Sequence, residues 1–319
     1  MTRPPPPRLE AVPNVAEGRR PEVLERMAAA VTGAGALLLD ASRDADHHRA
    51  VLTLAGGADE LEDALLALYE VALETIDLTR HRGVHPRIGA VDVVPFVPLK
   101  GTPMAEAVTA ARRLGARVAE RFALPVLLYG EAATAPHRRL LADLRRGGFE
   151  ALGGRLAEPD WAPDLGPPRP HPTAGASAVG ARFFLVACNA WLDTPDAAVA
   201  AAVARAVRES SGGLPAVRAL GLALASRGTA QVSMNLADFR RTPPAVAFAA
   251  VAREAAARGA RVVHRELIGL VPAAALEVPT APGAAGPDAA VADEAERLRE
   301  LWGGRTREAR LAAALAKRG

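Results

Sequence analysis

Cysteine is almost missing from this sequence. The single Cys188 permits no internal disulfide and no thiolate metal cluster. Its place in the apolar run Phe183 to Cys188 predicts a buried strand residue rather than a reactive thiol. Lysine is nearly as scarce, with only Lys100 and Lys317, so arginine carries the positive charge, and the net charge is just +3 over 319 residues. Aromatic residues make up 4%, and no basic stripe interleaved with aromatics occurs, which argues against nucleic acid as a partner. No apolar run reaches the length of a membrane span. The opening Met1-Thr2-Arg3 with Pro4 to Pro7 lacks the apolar stretch of a secretory signal. These absences predict a cytoplasmic protein that engages neither membrane nor nucleic acid. Catalytic signatures are also wanting: there is no HExxH, no paired CxxC, no glycine-rich phosphate loop and no GxSxG elbow.

What the sequence does hold is a concentrated loop, Thr79 to Asp92. His81 and His85, two of seven histidines, sit there among Arg80, Arg82 and Arg87, with Gly83, Pro86 and Gly89 breaking any regular element. The apolar run Val91 to Val97 follows and reads as a core strand. Reacting groups are commonly placed on loops held by such strands, histidine exchanges protons near neutral pH, and arginine matches carboxylates. A solvated turn with incidental charge is the plainer reading. A second polar run, Ser42 to Arg49, brings Asp44, Asp46, His47 and His48 together; these are either metal ligands or a polar hairpin turn.

A chain of this length suits two domains. The first part reads as strand (Leu9 to Val12), helix (from Pro21), strands (Ala36 to Leu39 and Ala50 to Ala55), helix (from Asp59) and strand (Ala90 to Val97). Leu61, Leu65, Leu68, Ala72 and Ile76 mark the second helix by their 3.6-residue period. A further helix, Pro103 to Arg121, and strand, Val126 to Tyr129, are appended. The second part repeats the order: strand (Phe183 to Asn189), helix (from Thr194-Pro195-Asp196), strands (Val217 to Ala225 and Ala230 to Leu236), helix (from Pro243 or Pro244) and strand (Val262 to Leu267). A proline-rich stretch, Glu158 to Gly175, separates the halves as either a linker or a stiff groove lining. Glu277 to Pro287, rich in Pro, Gly and Ala, reads as a mobile connection to two last helices.

Several of these segments resemble the formiminotransferase family in order and spacing. They are Val12-Pro13-Asn14-Val15 with Glu17-Gly18, the loop His81 to Phe96, Tyr129-Gly130-Glu131-Ala132-Ala133, Gly180-Ala181-Arg182, Ala230 to Leu236, and Glu266 to Pro272. The resemblance covers roughly residues 9 to 276. It implies an α/β (α+β) fold of duplicated ferredoxin-like subdomains, at 1–178 and 179–319, with the sheets facing each other and helices outside. It implies a glutamate formimidoyltransferase that moves the formimino group of N-formimino-L-glutamate to N5 of tetrahydrofolate, in histidine degradation, with folate as a consumed cosubstrate and no metal. The family's proton-transfer histidine matches His85. Its folate-contacting loop matches Gly166 to Gly175, so Gly166, Arg169, His171, Pro172, Thr173 and Gly175 are expected there. Two positions depart from the vertebrate members: Ser42 replaces the second aspartate of an Asp-x-Asp that begins at Asp40, and Ala174 replaces a tryptophan.

The remaining polar residues follow from the chemistry. Arg49, Arg82 and Arg87 are candidates to clamp the glutamate carboxylates, with His48 beside them. Asp92 and Asp40 can orient a histidine or accept from a pterin amide. Asn14, Asn189, Gln231 and Asn235 offer neutral hydrogen bonds. Folate in mono- or polyglutamylated form and a second copy of the chain, as a homodimer, are the expected partners. A related one-carbon transferase using N-formylglutamate or another amidine donor, and a non-catalytic folate-binding protein, are the other readings.

Overall fold

A computed structural model describes residues 7–277 and 288–317; the stretch 278–287 of the expected mobile connection lies outside the described residues. The chain divides into two units, Met1–Arg182 and Phe183–Gly319. The break falls a few residues beyond 178, because the last strand of the first unit carries the chain to Ala181.

The first unit begins with β1 (Leu9–Ala11) and β2 (Asn14–Val15), one strand line interrupted at Pro13, which has no amide for the ladder. Then come α1 (Pro21–Gly33), β3 (Leu37–Asp44), β4 (Arg49–Gly56), α2 (Ala58–Thr75), β5 (Val91–Pro98), α3 (Met104–Phe122), β6 (Val126–Gly130), α4 (Leu141–Leu144), α5 (Gly148–Leu156) and β7 (Ser177–Ala181). Among the described residues they form a seven-stranded sheet running β3, β4, the β1/β2 line, β5, β7, β6. The first part is antiparallel, while β5, β7 and β6 are parallel.

Two apolar layers cover the parallel part. Phe96, Val126, Leu128 and Val179 pack with Leu61, Leu65, Leu68 and Leu114 of the long helices. Val93, Leu127, Tyr129 and Ala178 on the opposite face pack with Leu144, Leu152 and Leu156 of α4 and α5. Burial on both faces explains why β5 reads as a continuous apolar run rather than an alternating one.

The second unit contains β8 (Val186–Leu192), α6 (Ala197–Val207), β9 (Val217–Leu224), β10 (Thr229–Leu236), α7 (Pro244–Ala256), β11 (Val262–Ile268), α8 (Ala289–Trp302) and α9 (Arg307–Ala316). Its sheet is four-stranded and antiparallel in the order β11-β8-β10-β9. The first strand therefore lies between the third and the fourth, as the β1/β2 line lies between β4 and β5 in the first unit. Cys188 is fully buried in this core. Helix α8 is tied to it by Trp302, whose ring meets that of Phe248 edge-on at 5.6 Å, and by Glu294, which pairs with Arg265 of β11. Among the described residues no helix is long and apolar enough to cross a membrane.

Candidate active site

Residues 76–90, between α2 and β5, form an irregular loop seated between two other segments of the first unit. On one side is the β3–β4 turn. Asp44 and Arg49 are the last paired residues, and the Asp44 carboxylate accepts the His47 amide at 2.8 Å. The polar run Ser42 to Arg49 is thus a strand end and a hairpin turn, with His48 in the left-handed region at φ 48°. Gly83 rests on this turn so closely that a Cβ would lie 2.5 Å from the His47 carbonyl oxygen. Arg19 joins the two segments, donating to the Ala45 carbonyl at 3.1 Å and the Arg82 carbonyl at 2.7 Å. On the other side Ala90 donates to Ala174 and Ala176 to Ile88, each at 3.0 Å. There Gly175, at φ +69°, approaches so near that a Cβ would sit 2.1 Å from the Ile88 oxygen.

Four histidines gather where these segments meet. His81 is buried and stacked on His48, with ring centroids 4.0 Å apart. Its Nε2 donates to the His48 carbonyl at 2.9 Å, and its Nδ1 is buried without a partner, which suits the neutral ring. His48 faces the Arg82 carbonyl at 3.1 Å and Glu17 at 3.3 Å. Burial works against the charge on Glu17, but the Arg19 and Arg20 amides and the Arg20 guanidinium hold its carboxyl below the usual range. The His85 ring lies 5.9 Å from that of His47. His85 Nε2 accepts from Arg49 Nη1; since a guanidinium only donates, the proton of the neutral ring is on Nδ1. Burial, and then the charges of Arg49 and Arg145, hold His85 well below its ordinary range. It is a neutral imidazole at pH 7.

Burial also lowers His81 to about 4. An unfolded histidine titrates near 6.5, so between those values the unfolded chain takes up a proton that the folded chain refuses. The His81 contribution to stability is present above about pH 6.5 and declines as the pH falls toward 4. We expect the urea midpoint to drop between pH 7 and pH 5, and less steeply in His81→Gln, which keeps a donor for the His48 carbonyl but does not titrate. Equal slopes would remove His81 from the account.

The arginines divide into matched and unmatched ones. Arg87 is paired with Glu150 of α5, its Nη2 at 2.8 Å and Nη1 at 3.3 Å from the two carboxylate oxygens. Arg82 is exposed, and among the described residues its guanidinium donates to the His81 carbonyl at 2.8 Å and the Thr79 carbonyl at 3.3 Å. Among the described residues Arg49 has no carboxylate within ion-pair distance; desolvation and the neighbouring Arg145 lower it to about 10, against the weaker attraction of Asp92 and Asp44. Asp92, buried, is fully engaged: one oxygen accepts the Ile88 amide at 2.8 Å and the other pairs with Arg145. The result is a partly buried group of cations around the neutral rings of His81 and His85, with an excess of donors. Among the described residues no group of three or more His, Cys, Asp or Glu side chains is arranged to hold a metal ion.

Other expected positions lie further along these elements. Asn14 donates to the Val12 carbonyl at 2.9 Å, and Asp40 is paired in register with Thr53 of β4. The segment Gly166 to Gly175 belongs to the first unit's structure. Asp164 just before it accepts from Leu128 at 2.8 Å and pairs with Arg138, and Leu78 donates to the Thr173 carbonyl at 2.8 Å. His171 is turned onto its own loop, its Nδ1 accepting the Ala174 amide at 3.1 Å. Arg169 and Pro172 are exposed, while Ala174 is buried in the first core.

In the second unit, Asn189, Gln231 and Trp191 all point a donor at one oxygen of Glu266, at 2.8, 3.4 and 3.4 Å. Asn235 is exposed on β10. Arg227 lies over the Trp191 ring, 4.3 Å from its centroid. Glu266 was not among the expected site residues, nor were Glu17 and Arg145. Glu17 and Glu266 stood inside the quoted motifs, which was the available signal; Arg145 had none.

The family comparisons cover both units. Residues 8–182 match the formiminotransferase domain, N-terminal subdomain, and residues 187–282 match the formiminotransferase domain. The chain is 42% identical over 269 residues to a glutamate formimidoyltransferase of Streptococcus pyogenes serotype M1, covering 84% of this chain and 90% of that protein. A glutamate formimidoyltransferase of Thermoplasma acidophilum is 42% identical over 271 residues, covering 84% of this chain and 89% of that protein. The formimidoyltransferase-cyclodeaminase of Gallus gallus is 40% identical over 276 residues, and there the match spans 51% of the longer protein. With both units matched, and in the same order, the chain belongs to the formiminotransferase domain family.

Proposed function

We propose that this chain is a glutamate formimidoyltransferase, transferring the formimino group from N-formimino-L-glutamate to N5 of tetrahydrofolate and releasing L-glutamate, a step of histidine degradation. The observation that carries the residue-level reading is the neutral His85, whose Nε2 meets the Arg49 guanidinium and whose surroundings include the Asp92-paired Arg145. N5 attacks the formimino carbon, and a C–N bond forms as N5 loses its proton. Nε2 of His85 accepts that proton and returns it to the glutamate nitrogen as the old C–N bond breaks. General acid–base catalysis of this kind supplies about 10²–10⁴-fold; positioning of the two substrates supplies further acceleration.

Arg49 and Arg82, which form no ion pair with a carboxylate among the described residues, are the proposed partners of the glutamate carboxylates. Asp92 is a positioning residue, since both its oxygens are committed to the loop and Arg145. Gly166 to Gly175 is the proposed folate contact, its register held by bridges from His171 and Gly89 to Gly175. The repeated strand order supports duplicated ferredoxin-like subdomains. A cytoplasmic homodimer completes the reading, with sedimentation as its check.

The test is direct. Purified protein without added metal is expected to form 5-formiminotetrahydrofolate and glutamate, with N-formimino-L-glutamate preferred over N-formylglutamate in parallel kinetics. Tetrahydrofolate binding without product, under single turnover with enzyme in excess, would replace this reading by that of a binding protein.

A further inference from the structure

His85 has one basic nitrogen, and Arg49 occupies it. The guanidinium cannot accept, so the bond uses the Nε2 lone pair, the same pair that a base needs for a substrate proton. In this state His85 is covered. Arg49 itself is poorly matched: it is a desolvated cation whose hydrogen bond is to a neutral ring, with no carboxylate within ion-pair distance among the described residues. Two anions, Asp92 and Asp44, attract Arg49 from a distance; the Asp92 oxygens are committed to the Ile88 amide and Arg145, and one Asp44 oxygen accepts the His47 amide. A guanidinium bonds more strongly to a carboxylate than to a neutral acceptor, and two parallel bonds can form.

We propose that Arg49 is a substrate-operated cover: a carboxylate of the donor draws its guanidinium from His85 Nε2, and only then can the imidazole act as a base. The inference rests on the transferase reading for the identity of that carboxylate. The groups facing His85 make the exchange effective twice over. Arg49 comes from β4, Arg145 from the end of α4 and His47 from the β3–β4 turn, and each opposes protonation of His85. Pairing Arg49 with an anion removes one of these oppositions while it exposes the lone pair. The base is thereby shifted toward the range where it works at neutral pH. Recognition of the donor's carboxylate then appears in kcat as well as in KM, because an unmatched donor leaves the base covered.

L-Glutamate, the released product, probes the exchange without turnover. In protein labelled at histidine nitrogen, His85 of the wild type is expected to titrate low, and saturating L-glutamate to move it upward by about one to three pH units, the effect of one neighbouring charge. Arg49→Met, which keeps an apolar stem, is expected to show the raised titration without ligand and no further movement with it. Arg49→Lys retains the charge but not the fork, and is expected to fall between. A His85 titration identical in wild type and Arg49→Met overturns the cover whatever the reaction is. A wild type that turns over formiminoglutamate, yet whose His85 ignores L-glutamate, overturns the cover and leaves the transferase standing. Failure of turnover with all donors overturns the transferase reading instead.

Discussion

His85→Ala is expected to turn over about 10²–10⁴-fold more slowly than the wild type, with its affinity for tetrahydrofolate changed only a few-fold. The asymmetry follows from what the ring does. A proton in flight exists only in the transition state, so its acceptor contributes to kcat and little to ground-state binding. The residue stands in a loop tied on both sides to other segments of the first unit, so truncation leaves the surrounding backbone bonds in place. Steady-state kinetics with calorimetric titration of tetrahydrofolate separates the two effects. Added imidazole is expected to restore part of the lost rate in His85→Ala. An undiminished kcat would sink the proton-transfer role.

Asp92→Ala is expected to cost about 3–5 kcal/mol, a large share of the roughly 5–15 kcal/mol that a folded domain has. Asp92 is 2% exposed, and its carboxylate joins three parts of the first unit: β5 that carries it, the Ile88 amide in the histidine loop and Arg145 beyond α4. Its removal strands a guanidinium whose Nε is already buried without a partner, and an amide with no other acceptor. Asp92→Asn retains one oxygen for the Ile88 amide and should lose less. Replacing Arg145 by Met in the Asp92→Ala background should recover part of the loss, since both partners of a buried pair are then gone. Urea unfolding measures all three. A single Asp92→Ala variant within about 0.5 kcal/mol of wild type would show that the pair is solvated in practice.

Periodicity is a local property, and it survives folding. Leu61, Leu65, Leu68, Ala72 and Ile76 are all buried in α2 or at its end, as their spacing predicts. Both runs of strand, helix, two strands, helix and strand could be read for the same reason. The polar pattern ends the strand at Leu39 and leaves Ser42 to Asp44 as metal ligands or a hairpin turn, yet this run extends β3: it pairs with β4 while its side chains reach solvent. Strand β7 escaped notice because Ser177 to Ala181 is short and built of small residues. Its burial comes from lying between β5 and β6, which are distant in the chain. Helix α4 is only four residues long, and α5 contains glycines at 148, 153 and 154, poor helix formers that tertiary packing of Leu152 and Leu156 overrides.

The site divides along the same line. His85, Arg82, Arg87 and Asp92 were candidates from the sequence because histidine and arginine crowd a loop ahead of a core strand and because the motif resembles a known family, and Arg49 because it ends the second polar run. Their states were not legible there. That Arg87 already holds Glu150, that Asp92 answers to Arg145, and that Arg49 lies on the very nitrogen His85 would use are relations between residues far apart in sequence. Residue types, their order and their periods determined most of the elements, the family and a list of candidate groups. Only the tertiary structure decided which charges meet, and so which groups are paired, which are neutral and which remain available. Coulombic and hydrogen-bond partners depend on distance in space and on exclusion of water.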